Sequence, residues 1–179
     1  YVTNTQDTYT VIMGQARVVK STSKTVTTGA DGSGSVATSS LTYTYDSVAR
    51  LTKVTAGITH IEGHDAFHFN TYVTNTQDTY TVIRGQARVL KSTSHTVTTG
   101  ADSSGSVSDS SITYAYDSVA RLTDATAGVT HTVGHDAFNF NTFSTHTVYT
   151  YTVILGHAGV LRSVSDTTTT GVDGSGSQT

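Results

Sequence analysis

The chain has 179 residues, a formal net charge of −3, only 13% charged residues, and no cysteine, proline or tryptophan. The lack of cysteine excludes disulfide scaffolds and zinc–thiolate sites, and the slight excess of acidic residues gives no indication of nucleic-acid binding. The lack of proline and of a Gly-X-Y period excludes collagen, and no apolar run reaches the roughly 18 residues that span a bilayer.

The sequence repeats itself with a period of 71 residues. Residues 1–71 and 72–142 differ at only 14 positions, and residues 143–179 match the first half of the repeat. A weaker similarity divides each copy into halves of 34 and 37 residues, so that the chain holds five half-repeats. Such copies predict one continuous array rather than separate domains. Because the chain begins without Met and ends inside a copy, we expect it to be a segment of a longer array.

Strand-forming residues dominate every half-repeat, since Thr, Val, Ile, Tyr and Phe are typical of β-strands. The segment from Leu41 to Asp46 alternates apolar and polar residues, which places Leu41, Tyr43 and Tyr45 on one face. Turn signals fall, in chain order, near Gly14, Asp31, Ser47, His64, Gly85, Ser103, Ser118, His135, Gly156 and Asp173.

Two all-β architectures fit this spacing. The first, which we favour, is a repeat array of long antiparallel β-hairpins coiled into a spiral sheet. The second is a parallel β-solenoid with rungs of about 18 residues. The repeat also suggests which positions are buried. Val11 and Val18 recur unchanged in all three copies and are predicted to be buried, whereas position 13 reads Met13, Arg84 and Leu155 and is predicted to face solvent.

Residues 43–51 and 114–122 share the pattern Tyr-x-Tyr-Asp-Ser-Val-Ala-Arg-Leu. This pattern resembles the tyrosine–aspartate (YD) repeat of bacterial Rhs-type proteins, insecticidal toxin complex subunits and animal teneurins. That repeat usually has Gly where this chain has Ala49 and Ala120. The resemblance implies β-hairpins wound into a spiralling sheet, often a hollow shell, in large secreted or surface proteins.

The residue types of the motif suggest a structural role. Asp46 can accept a hydrogen bond from a backbone N–H two residues later and close the turn. Arg50 can reach Asp46 or a neighbouring hairpin, the alternative being an ordinary hairpin with a solvated arginine. Tyr43 and Tyr45 offer stacking surfaces to equivalent tyrosines on adjacent hairpins. The corresponding residues of the second copy are Tyr114, Tyr116, Asp117 and Arg121.

Histidines form the first candidate metal site. His60, His64 and His68 are spaced by four residues beside Asp65, and a bound transition metal is one interpretation of this group. We favour polar turn residues, because a strand would spread the three rings over about 13 Å.

A glycine-rich turn forms the second candidate site. The segment 29–35 around Asp31 is similar to a calcium loop but carries one carboxylate where calcium gathers several, so an Asp-Gly turn is the better interpretation. No catalytic residue and no cofactor is predicted, since duplicated Ser, His and Asp carry no specific arrangement.

These observations favour a structural segment of a large extracellular or cell-surface repeat protein that forms a β-sheet fibre, spiral or shell. Two alternatives stay open, namely an adhesin arm that binds surface glycans and the wall of a toxin-enclosing shell. The expected partners are neighbouring copies of the repeat, in the same chain or in another molecule, and surface glycans, with neither nucleic acid nor membrane insertion.

Overall fold

The computed structural model describes residues 1–126 and 128–179. The strands are β1 (Val2–Ile12), β2 (Gln15–Thr28), β3 (Gly34–Tyr45), β4 (Leu51–Ala56), β5 (Thr59–His64), β6 (Asn70–Ile83), β7 (Gln86–Gly100), β8 (Gly105–Tyr116), β9 (Leu122–His135), β10 (Asn141–Ile154), β11 (His157–Gly171) and β12 (Gly176–Gln178). Three-residue 3-10 turns, Ala66–His68 and Ala137–Asn139, follow β5 and β9. The predicted all-β fold is confirmed. In the described part of the chain, no helix has the length and apolar character to cross a membrane.

The strands form one open sheet in which neighbours follow chain order. Every pair is antiparallel, so the hairpin array is confirmed and the parallel solenoid is wrong. Both β4 and β5 pair with β3, and they are separated at Gly57, whose N–H donates to the Ser40 carbonyl at 2.8 Å. The second copy has a single strand, β9, in their place.

Short turns join the strands at the two ends of the sheet. All ten predicted turn points lie at or directly beside a chain reversal, with His64 and His135 as the last residues of their strands. One end, here called the arginine end, comprises residues 13–14, 46–50, 84–85, 117–121 and 155–156. The other, here called the aspartate end, comprises residues 29–33, 65–69, 101–104, 136–140 and 172–175, with five aspartates and no Lys or Arg.

The described residues of the sheet form no conventional hydrophobic core. Its accessible surface is 11097 Å², against about 8,300 Å² for a compact monomer of this mass. Among the described residues, the buried apolar side chains are Ala49, Val54, Ala120 and Ala125. A sheet that exposes both faces has little opportunity to bury large side chains.

This architecture corrects the predicted burial of the valines. Val11 is 72% exposed on the edge strand β1, while Val18 and Val82, the interior equivalent of Val11, are half-buried, because no second layer of described residues covers the sheet. The predicted exposure of the turn position is confirmed, since Met13 is 73% exposed, Leu155 is 95% exposed and Arg84 is also exposed.

Hydrogen bonds between strands stabilise the sheet where a hydrophobic core would do so in a globular protein. Besides the backbone ladder, threonine hydroxyls pair across equivalent strands in all three copies, with Oγ1 atoms 2.9 to 3.0 Å apart. These pairs are Thr3 with Thr25, Thr74 with Thr96, and Thr145 with Thr167. Cross-strand Thr–Thr pairs of this kind each stabilise a sheet by a few tenths of a kcal/mol to about 1 kcal/mol. The abundant hydroxyls of the sequence therefore have a structural use.

Candidate functional site

The Tyr-Asp motif closes a turn at the arginine end. Asp46 Oδ1 accepts hydrogen bonds from the backbone N–H groups of Val48, at 3.0 Å, and Arg50, at 2.8 Å. The Arg50 Nε donates to Asp46 Oδ2 at 2.7 Å, so the expected ion pair is present. These bonds, led by the one from the Arg50 backbone, hold the pKa of Asp46 below its ordinary value. Both oxygens of the Asp46 carboxylate are thus hydrogen-bonded within the turn.

The second copy reproduces this turn. Asp117 accepts from Val119 and Arg121 backbone N–H groups at 2.9 Å and from the Arg121 Nε at 2.7 Å. Ala49 and Ala120 adopt left-handed backbone conformations, with φ of 63° and 65°, at the position where the YD repeat usually has Gly. The backbone therefore keeps the conformation that Gly would favour while carrying a methyl group.

The tyrosines of the motif anchor neighbouring hairpins by a different contact from the one predicted. The Tyr45 hydroxyl donates to the Val18 carbonyl at 3.0 Å, and the Tyr116 hydroxyl donates to the Val89 carbonyl at 2.9 Å. Partial burial raises the pKa of the Tyr43, Tyr114 and Tyr116 hydroxyls. Within the described residues, the aromatic pair formed by two tyrosines is Tyr149 with Tyr151, which lie on the same strand, and the stacking of Tyr43 and Tyr45 on equivalent tyrosines stays a prediction.

The candidate metal ligands are held by other contacts. Asp65 bridges its turn by accepting from the Asn70 backbone N–H at 3.0 Å and from the Asn70 Nδ2 at 2.7 Å. The His64 ring stacks on His68, with centroids 3.7 Å apart, and its Nδ1 lies 3.0 Å from the Asp65 carbonyl. Asp31 accepts from the Ser33 N–H at 3.0 Å and from its hydroxyl at 2.6 Å. These residues therefore stabilise turns.

His60 lies apart from this turn, within β5. Its Nδ1 is 2.7 Å from Asn75 Oδ1 and its Nε2 is 3.1 Å from Glu62 Oε1. These two contacts, the one with Asn75 first, raise the pKa of His60. Among the described residues, no three His, Cys, Asp or Glu side chains are grouped closely enough to hold a metal ion.

A row of polar side chains, six of them titratable, crosses the sheet and could not be predicted from the sequence. Successive strands place these residues directly opposite one another: His60, Asn75, His95, Asp109, His131, His146 and Asp166. His95 Nδ1 lies 2.7 Å from Asp109 Oδ1, and the His131 and His146 rings are 6.4 Å apart. Only the strand register reveals this row, because its members are far apart in sequence.

The aspartate end also exposes phenylalanines. Phe67 is 82% exposed and lies 6.4 Å from Phe69, between ring centroids, and the second copy repeats this pair as Phe138 and Phe140 at 6.1 Å. Four strand spacings, or roughly 19 Å, separate the two pairs along the end of the sheet. Exposed aromatic rings in a row are suited to contact with the apolar faces of a ligand.

Comparison with known proteins adds no identification to this geometry. The chain matches no protein-family model, no curated protein and no solved structure.

Proposed function

We propose that this protein is a structural building unit of a large extracellular repeat protein, in which sheets are extended by the addition of further strands. The observation that carries the proposal is the identity between an edge strand and interior strands. β1 repeats the sequence of β6, and β6 pairs with β5 along Thr71–Thr76. The outer side of β1 therefore offers a copy of β5 a matching partner strand.

The other edge supports the same proposal. β11 is the repeat equivalent of β7, with nine of fifteen residues identical, and β7 pairs along nine positions with β8. The short β12 matches the first two residues of β8. Between these edges, the sheet is stabilised mainly by strand pairing and not by a core closed on itself. Each further strand would add backbone hydrogen bonds and side-chain contacts of the kind already present between copies.

Alternate residues of β1 point their backbone groups outward. In β6 the Asn70 carbonyl accepts the Asp65 N–H at 3.0 Å, so the alternation of an antiparallel ladder turns Thr74 and Thr76 toward β5. The equivalent residues in β1 are Thr3 and Thr5. Proline at these two positions removes outward N–H groups and leaves the ladder to β2 intact.

Sedimentation velocity over a range of concentrations, with electron microscopy, tests the proposal. We expect the wild-type chain to associate into extended sheets, the double variant Thr3→Pro, Thr5→Pro to remain dispersed, and the control Thr3→Ala, Thr5→Ala to associate. A wild-type chain that stays monomeric at every concentration, or proline variants that assemble as the wild type does, would overturn it.

The exposed phenylalanines favour a second candidate function, binding of surface glycans by an adhesin arm. Phe67, Phe69, Phe138 and Phe140 form repeated aromatic contacts beside polar turns. Stacking of sugar rings on these side chains is expected to give glycan-array binding that Phe67→Ala with Phe138→Ala abolishes. Binding that the double variant leaves unchanged would remove this candidate.

A further inference from the structure

A groove at the arginine end combines side chains from three hairpins. This groove, here called groove A, has a volume of about 700 Å³ and is lined in part by Arg17, Tyr45, Asp46, Arg50, Leu51 and Arg84. Arg17 comes from β2, Arg50 from the turn after β3, and Arg84 from the turn after β6. Strand pairing thus places three arginines and one aspartate in the lining of a single groove.

The carboxylate of groove A is already engaged. Asp46 uses both oxygens within its own turn, in hydrogen bonds to Val48 and Arg50. Arg50 uses its Nε for this contact, and its side chain is 77% exposed. The groove therefore keeps an excess of positive charge, and like charges gathered at one place favour a bound anion.

Arg17 carries a donor that the protein does not satisfy. Its Nη2 donates to Gln15 Oε1 at 2.6 Å, its Cζ lies 6.0 Å from the centroid of the Tyr45 ring, and its buried Nε has no hydrogen-bond partner. Buried N–H groups without an acceptor are uncommon and unfavourable. The same unsatisfied Nε recurs in Arg88 of the second copy, so it is a property of the repeat.

The second copy provides a matched groove with one arginine fewer. Groove B has a volume of about 690 Å³ and is lined in part by Arg88, Tyr116, Asp117, Arg121, Leu122 and Leu155. Every one of these residues is the repeat equivalent of a residue in groove A, and Leu155 stands where groove A has Arg84. The two grooves thus share the same set of equivalent side chains and differ by one arginine, which groove B lacks.

From these observations we infer that groove A is a binding site for an oxyanion group, a carboxylate, sulfate or phosphate carried by a ligand in solution or on a surface. Arginine recognises such groups through paired N–H···O bonds. Arg84 and Arg50 supply exposed guanidinium groups, and Arg17 supplies a third cation beside the Tyr45 ring. This binding site goes beyond the proposed structural function, since anion binding in groove A does not depend on whether copies of the chain assemble.

The test follows the arginine Nε–H signals by NMR during titration. The probes are inorganic sulfate, inorganic phosphate, a uronate oligosaccharide and a neutral oligosaccharide of equal length. We expect the anionic probes to shift the Arg17 signal at concentrations about tenfold lower than the Arg88 signal, since a charge-assisted hydrogen bond is worth roughly that factor. Binding should weaken as salt is added, and the neutral oligosaccharide should have no effect.

Two exchanges between the grooves make the test decisive. Arg84→Leu should reduce the affinity at Arg17 to that at Arg88, and Leu155→Arg should raise the affinity at Arg88 to that at Arg17. Both residues already occur at this exposed turn position, so the fold should tolerate either exchange. Equal responses of Arg17 and Arg88 in the wild type, no effect of either exchange, or responses no larger than that of Arg162 outside the grooves would overturn the inference. The ranking of sulfate, phosphate and uronate identifies the source of the oxyanion.

Discussion

Seven turn aspartates determine the expected response of the protein to acid. Hydrogen bonds from neighbouring residues hold the pKa of each below its ordinary value: Asp31, Asp46, Asp65, Asp102, Asp117, Asp136 and Asp173. A carboxyl whose pKa is lowered by folding stabilises the folded state above its unfolded pKa and loses that contribution as the pH falls through the folded pKa. We expect Tm to be insensitive to these groups near neutral pH and to fall from about pH 4 downward.

The double variant Asp46→Asn, Asp117→Asn provides the control for this prediction. It should be less stable at pH 7, because the ion pairs with Arg50 and Arg121 are lost. Its Tm should also fall less steeply below about pH 4 than the wild-type Tm, since two of the titrating groups are absent. An unchanged acid dependence in calorimetric scans would contradict the assigned role of these turns.

The turn position of Leu155 carries backbone strain that substitution can relieve. Leu155 has a φ of 50° and Gly156 a φ of 78°, which is the pattern of the tight type I′ turn of a two-residue hairpin. Asn is preferred at the first of these positions, whereas a left-handed conformation costs most other residues about 1 kcal/mol. Because Leu155 is 95% exposed, Leu155→Asn should raise the free energy of unfolding by about 1 kcal/mol. Chemical denaturation measures this effect, and Leu155→Ala, which keeps the strain, should produce no comparable gain.

At the level of the strands, glycines make room for aromatic rings from the neighbouring strand. Gly63 in β5 lies opposite Tyr72 in β6, and a Cβ at Gly63 would meet the Tyr72 ring. The second copy repeats the arrangement with Gly134 and Phe143. An aromatic ring over a cross-strand glycine covers backbone that would otherwise face water. The first pair joins the first copy to the second, and the second pair joins the second copy to the third.

Gly63→Ala should therefore destabilise the sheet. Displacement of the Tyr72 ring is expected to lower the free energy of unfolding by about 1 to 3 kcal/mol. Gly159→Ala is the matched control, because nothing lies within 4 Å of a Cβ at that strand position. Equal stabilities of the two variants in urea denaturation would show that the ring contact contributes nothing.

β-Bulges explain why the alternation of apolar and polar residues in the sequence predicts only in part which face of the sheet a side chain occupies. Val19, Leu90 and Leu161 are extra residues in β2, β7 and β11, next to the shift of register at Tyr9, Tyr80 and Tyr151. A bulge inserts one unpaired residue and breaks the two-residue period of a strand. The alternation from Leu41 to Tyr45 is confirmed, with Thr42 and Thr44 exposed between half-buried neighbours, because the extra residue of this hairpin, Thr52, lies on the partner strand β4.

At the level of the whole molecule, an open sheet with few buried apolar side chains predicts an unusual heat capacity of unfolding. Ordinary globular proteins show about 12 to 15 cal/mol/K per residue, mainly from exposure of apolar surface. With only Ala49, Val54, Ala120 and Ala125 buried among the apolar residues described, the value for the isolated chain should lie clearly below that range. Differential scanning calorimetry on dilute protein measures it, and a value within the globular range would indicate a packed core that this sheet does not have.

The sequence by itself determined the repeat period, the strands, the positions of the turns and the exposure of the Met13, Arg84 and Leu155 site. These features depend on residues that are close together in the chain, where turn chemistry and strand propensity act directly. The Asp46–Arg50 pair belongs to the same class, since only four residues separate its members.

Only the tertiary structure decided which residues meet across strands. The row from His60 to Asp166 depends on the register of six further strands, and groove A joins Arg17, Arg50 and Arg84 from three separate hairpins. The exposure of Val11 likewise follows from its place on an edge strand and from the lack of a second layer over the described sheet, which a local apolar pattern does not report. The physical reason is that pairing register and layer packing are set by contacts between distant segments, and a one-residue bulge is enough to change them.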